Sequence, residues 1–86
     1  MKTKEKMNLP KWFTGKVYAN GDTVKNPFTE DSVQINNYEL SMYDFILGVQ
    51  WLREQGQSNR MLDSEFRKAL DWFRHSNAEA YMILLD

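Results

Sequence analysis

The sequence predicts an α+β domain: a small three-stranded antiparallel β-meander over about residues 16–35, then two antiparallel helices over about 37–55 and 63–84. Three observations predict it. Short alternating segments broken by turn residues occupy the first third of the chain, and two long stretches of 3.6-residue periodicity follow. The first of those stretches is apolar on two opposite sides. At 100° per residue, Tyr38, Met42, Phe45, Ile46, Val49 and Leu52 share one side, while Leu40, Tyr43, Leu47 and Trp51 fall nearly opposite. Leaving the second group in water forfeits roughly 1.5–3 kcal/mol for each large side chain, against a total stability of about 5–15 kcal/mol. This helix is expected to lie as a middle layer, covered on both sides by its own chain or by a second molecule.

Residues 1–10 are polar and Lys-rich and end at Pro10, which reads as a flexible basic tail; residues 11–86 read as a single α+β domain. Lys16-Val17-Tyr18-Ala19 and Asp22-Thr23-Val24-Lys25 flank Asn20-Gly21, the pair that supplies the two φ > 0 positions of a type I′ hairpin turn. Asn26 to Asp31 is a second turn, in which Pro27 fixes φ and removes a ladder donor. Ser32-Val33-Gln34-Ile35 alternates polar and apolar as a third strand. Val17, Val24, Val33 and Ile35 are its candidate buried face, with Trp12 and Phe13 packed beside it.

Asn36 stands three residues before Glu39, the spacing of a capping box, although Asn is a less usual first member than Ser or Thr. Gly48 inside the helix costs about 1 kcal/mol relative to Ala, which suits a close approach by another backbone. Gly56 ends the helix and Gln57-Ser58-Asn59-Arg60 is a polar connector. Asp63 is the expected cap of the second helix, whose stripe is Leu62, Phe66, Ala69, Leu70, Phe73, Ala80, Tyr81 and Leu84, with Trp72 and Ile83 on one flank. Ser76-Asn77-Ala78-Glu79 is itself a capping signature. The stripe keeps its phase across it, which favours one long helix while leaving a bend or restart open.

The chain of 86 residues is 42% hydrophobic and 14% aromatic, enough for one core and against global disorder. It has no cysteine, which excludes disulfides and thiolate metal sites and suits a reducing cytoplasm. No apolar run approaches a bilayer's thickness, and no apolar stretch follows the N-terminal lysines as in a signal peptide. The net charge of −1 is unevenly spread. Residues 1–16 hold five lysines and one glutamate, and residues 17–86 hold six basic against eleven acidic side chains. A basic segment on an acidic body suits nucleic acid or an acidic partner, or a plain solvated terminus.

The run Gly21-Asp22-Thr23-Val24-Lys25-Asn26-Pro27-Phe28-Thr29-Glu30, the later Met42-Tyr43-Asp44-Phe45-Ile46, and the ending Trp72-Phe73-Arg74 with Asn77 to Leu85 resemble small proteins of unassigned function from marine tailed bacteriophages. The resemblance spans most of residues 16–86. It implies the cytoplasm of an infected bacterium and brings no activity, cofactor or catalytic residue.

Chemistry-bearing groups are sparse. His75 is the lone histidine, with Asp71 at i−4 and Glu79 at i+4, spacings of ordinary surface helix contacts. Glu30-Asp31 lacks the alternating oxygens of a calcium loop. The glycines at 15, 21, 48 and 56 form no phosphate loop. The expectation is therefore a non-enzymatic chain with no cofactor and no metal. Two binding readings remain. Tyr43, Leu47, Trp51 and Trp72 form either a protein interface, for a homodimer or another protein, or simply the core between the helices. Lys11, Trp12, Lys16, Tyr18 and Lys25 mix cations and aromatics as single-strand nucleic-acid binders do, against a pI near 5.8.

Overall fold

The computed structural model describes residues 8–57 and 59–85, and its elements run β1 (Asp22–Lys25), β2 (Ser32–Ile35), α1 (Asn37–Glu54), α2 (Arg60–Ser76) and α3 (Ala78–Leu84). The α+β class is as the sequence implies. The sheet is smaller than expected, and the second helix is divided.

β1 and β2 pair antiparallel, with Val24 opposite Val33 and Asp22 opposite Ile35. Their turn is Asn26 to Asp31. The Asn26 N–H donates to the Asp31 carbonyl and its own carbonyl accepts from Glu30 N–H, both at 2.8 Å. Glu30 takes the left-handed position, φ 68°, that closes this turn. The expected first strand, at Lys16–Ala19, is not formed. Asn20-Gly21 is not a type I′ turn either, since neither residue has positive φ. Two side chains of α1 capture the backbone that a strand would have used. Tyr18 N–H donates to Ser41 Oγ at 2.9 Å, and Tyr18 carbonyl accepts from Asn37 Nδ2 at 3.3 Å. Gly21 serves a different need: a Cβ there would collide with the Ile35 carbonyl oxygen at the end of β2. Val17, expected on the buried sheet face, is consequently exposed.

α1 starts where the sequence places it. Asn36 Oδ1 accepts from Glu39 N–H at 2.8 Å and Glu39 Oε1 accepts from Asn36 N–H at 3.0 Å, a complete capping box. It ends in a Schellman motif on Gly56 (φ 84°), with Gly56 N–H bonded to Arg53 carbonyl and Gln57 N–H to Leu52 carbonyl. α2 begins one turn before the expected Asp63. Its cap is Asn59, whose Oδ1 accepts from Leu62 N–H. Asp63 instead lies in the first turn and pairs with Arg53 at 3.4 Å, joining the end of α1 to the start of α2. At the other end Asn77, with φ −155° and ψ 87°, interrupts the helix and caps α3 through Ala80 N–H. The expected long helix is thus two helices.

One buried side chain binds that interruption to the start of α1. Glu39 accepts from Ser76 Oγ and Asn77 Nδ2, each at 3.2 Å, besides its capping bond. With Arg53–Asp63 at the opposite end, this sets α1 and α2 antiparallel. The sheet packs chiefly on α3 rather than on α1, so the middle layer expected of α1 is not one between the sheet and the second helix. Part of the cover on the first face of α1 comes from the segment preceding the sheet. Trp12 and Phe13 meet Phe45 with ring centroids 6.0 and 5.4 Å apart. The core is Ile35, Met42, Tyr43, Ile46, Ala69, Trp72, Phe73, Ala80 and Leu84. Of the expected tail, residues 1–7 lie outside the described part. Residues 8–10 belong to the packed body, since Leu9 lies on the core and Asn8 carbonyl accepts from Trp72 Nε1 at 3.0 Å.

Two substitutions read these assignments. Glu39→Ala strands three donors and is expected to lower unfolding free energy by about 2–3 kcal/mol in urea titrations. Gly21→Ala is expected to destabilise, whereas Gly48→Ala is expected to stabilise by about 1 kcal/mol, because Gly48 is exposed and, apart from its own stretch of helix, nothing stands within 4 Å of where its Cβ goes.

Candidate interaction surface

The buried side of α1 is an arc from Ser41 through Val49, Met42, Ile46 and Glu39 to Tyr43. Its outer side is not uniformly polar. In the first half of the second apolar face Tyr43 is buried and Leu40 half-buried, with Tyr43 meeting Phe73 at 6.3 Å between ring centroids. Beyond them Leu47 is 41% exposed and Trp51 60% exposed. Gly48 does not mark a close approach within the protomer, contrary to the expectation drawn from the sequence.

A groove of about 280 Å³ opens beside Leu47, and its walls come from three parts of the chain. α1 supplies Tyr43, Leu47 and Gln50, the end of α3 supplies Leu84 and Leu85, and the β1–β2 turn supplies Pro27 and Phe28. Among the described residues, none that lines it is charged. Phe28 is 93% exposed, the barest large apolar side chain among the described residues. Its backbone is nonetheless tightly held. Asn26 Oδ1 accepts from Phe28 N–H at 2.8 Å and from Thr29 N–H at 3.4 Å, and Asn26 Nδ2 donates to the Ile83 carbonyl at 2.8 Å. One amide side chain thus fixes the turn and satisfies a carbonyl near the end of α3.

The four residues singled out from the sequence as an interface divide into two pairs. Leu47 and Trp51 are on the surface; Tyr43 and Trp72 are in the core, with Trp72 on α2 bonded to Asn8. Phe28, Leu84 and Leu85 were not among them. A signal for Phe28 was present: an aromatic directly after Pro27 in a turn stands outside the strand alternation that buries side chains.

The basic and aromatic residues of the N-terminal half differ in exposure. Trp12 is half-buried against Phe45. Tyr18 is half-buried with Lys16 Nζ 4.9 Å over its ring, and Lys11 and Lys25 are exposed. A wider depression of about 430 Å³ lies at the α1–α2 end, lined by Gln50, Arg53, Glu54 and Phe66. Arg53 is engaged there, 4.7 Å over the Phe66 ring and paired with Asp63. His75 Nδ1–H donates to the Asp71 carbonyl at 2.8 Å, while the Asp71 carboxylate pairs with Arg74 at 2.9 Å. No group of three or more His, Cys, Asp or Glu side chains that could hold a metal ion occurs among the described residues. No described helix is long and apolar enough to cross a membrane.

Burial pushes the Tyr43 phenol above its usual pKa of 10.0. A raised folded-state pKa means that the neutral form is favoured in the native protein. Stability is therefore fully present below the ordinary tyrosine range and falls as pH rises through the folded value. Ultraviolet titration at 295 nm should show one tyrosine ionising late, together with falling unfolding free energy in that alkaline range.

Comparison with known proteins leaves the reading to this geometry: no family model matches the chain, and neither a curated protein nor a solved structure matches it significantly.

Proposed function

We propose that this chain is a non-enzymatic binding module that acts by protein–protein interaction through the face formed by Phe28, Leu47 and Trp51, engaging its own copy or a host protein. The observation that carries this reading is the grouping of large exposed apolar side chains around a groove whose described lining is uncharged. Phe and Trp held on rigid backbone are the side chains that supply most binding energy at protein interfaces. Apolar patches of a few hundred Å² on a small domain are often functional. The resemblance to phage proteins supports the cytoplasm of an infected bacterium as the setting. Single-stranded nucleic acid is the weaker alternative, because Trp12 packs half-buried on Phe45 and a base-stacking platform needs an open ring face.

A photo-crosslinking benzophenone residue placed at position 51, and separately at exposed Lys68 on α2, tests this in expressing cells. Position 51 is expected to yield discrete protein adducts and position 68 none. Equal labelling, or no adduct at 51, overturns the reading. Salt-sensitive binding of a single-stranded oligonucleotide that weakens when Lys11, Lys16 and Lys25 are neutralised would put the nucleic-acid alternative in its place.

A further inference from the structure

The candidate surface contains both halves of a plug-and-socket contact. Phe28 projects almost wholly into solvent from a turn that Asn26 holds in place, and the groove next to it is apolar and open. A dry cavity of about 150 Å³ accommodates a benzene ring, so a groove of about 280 Å³ has room for a phenylalanine side chain. We infer that the occupant is a second copy of this chain, docked about a twofold axis so that Phe28 of each protomer enters the groove of the other. The inference rests on the docking-surface reading above and names its partner.

Three features favour a copy over an unrelated protein. A twofold interface must be self-complementary, and here plug and socket lie on one face, so a single contact made twice fills both grooves and covers both exposed rings. An unrelated partner has to supply a socket for Phe28 and a plug for the groove separately. Charge points the same way. Self-docking brings identical groups together, and the described residues that line the groove are uncharged although charged residues make up 27% of the chain. Exposed Gln50 adds a polar side chain at its wall. Area is the third feature. At the exposures of Phe28, Trp51 and Leu47, the patch offers roughly 400 Å² of apolar surface per protomer. A standard interface takes about 800 Å² from each partner, somewhat more than half of it apolar, so the patch matches one such interface. Leu47 stands at the groove wall, and exposed Trp51 follows one turn along α1.

Sedimentation equilibrium of the purified chain from micromolar to millimolar concentration tests this. The mass is expected to rise from 10.2 kDa towards twice that value. Phe28→Lys and Leu47→Asp, both at exposed positions, are each expected to weaken association at least tenfold with far-UV circular dichroism unchanged. Mixed together, the two variants should restore a dimer. In that pairing one contact sets Lys against Asp, and the other keeps the native Phe28 and Leu47. A wild-type chain that stays monomeric throughout overturns the inference, as does a dimer indifferent to Phe28→Lys or a mixture that fails to associate. If the purified chain is monomeric while position 51 still crosslinks to a different protein in cells, the copy is wrong and the docking surface stands. If neither is seen, both fall.

Discussion

The arrangement depends on the carboxylate of Glu39. Burying such a group costs several kcal/mol unless donors surround it, and here three converge: the Asn36 N–H, the Ser76 hydroxyl and the Asn77 amide. Each belongs to a helix end. Asn36 is the cap of α1, Ser76 the last residue of α2, and Asn77 the cap of α3. One side chain thereby completes the cap of α1 and holds the point where α3 departs from α2. Two polar residues at an interruption would otherwise be a weak place in a small core. Joined to Glu39, they become the corner from which α3 reaches the sheet.

That corner explains the placement of the apolar groove. Because α3 leaves the line of α2, its far end reaches the β1–β2 turn, where the Ile83 carbonyl receives Asn26. A straight helix would have continued the α1–α2 layer. The departure leaves the outer face of α1 covered as far as Tyr43 and open from Leu47 onward. The exposed apolar surface is thus a consequence of how the chain satisfies its own polar groups.

Local chemistry was readable wherever it was self-contained. The capping box at Asn36, the helix stop at Gly56, the alternation of Ser32 to Ile35 and the stripe of Phe66, Ala69, Phe73, Ala80 and Leu84 all depend on neighbours within a few residues. Features decided by distant partners were not readable. Asn20-Gly21 has the composition of a hairpin turn, but Ser41 and Asn37 from α1 take the Tyr18 backbone, and a pairing separated by about twenty residues leaves no local mark. Asn59 and Asp63 are both competent caps one turn apart, and Arg53 gives Asp63 another role. Asn77 announced a restart, but the unbroken apolar phase argued for continuity. Glu39 decided the matter from 38 residues away. The docking face was half legible: Leu47 and Trp51 follow from helical phase, whereas Leu84 and Leu85 join them only through the turn at Asn77.

The bond from Asn26 to Ile83 also has a consequence for biosynthesis. The two residues are 57 positions apart, and the hairpin emerges from the ribosome well before the helix that covers it. At about 5–20 residues per second, that interval is roughly three to eleven seconds. A lone pair of four-residue strands is marginal in water and offers unpaired edges to other chains throughout that time. This sheet is therefore completed after translation of its cover, and crowded polysomes are where the nascent chain is most exposed to mispairing.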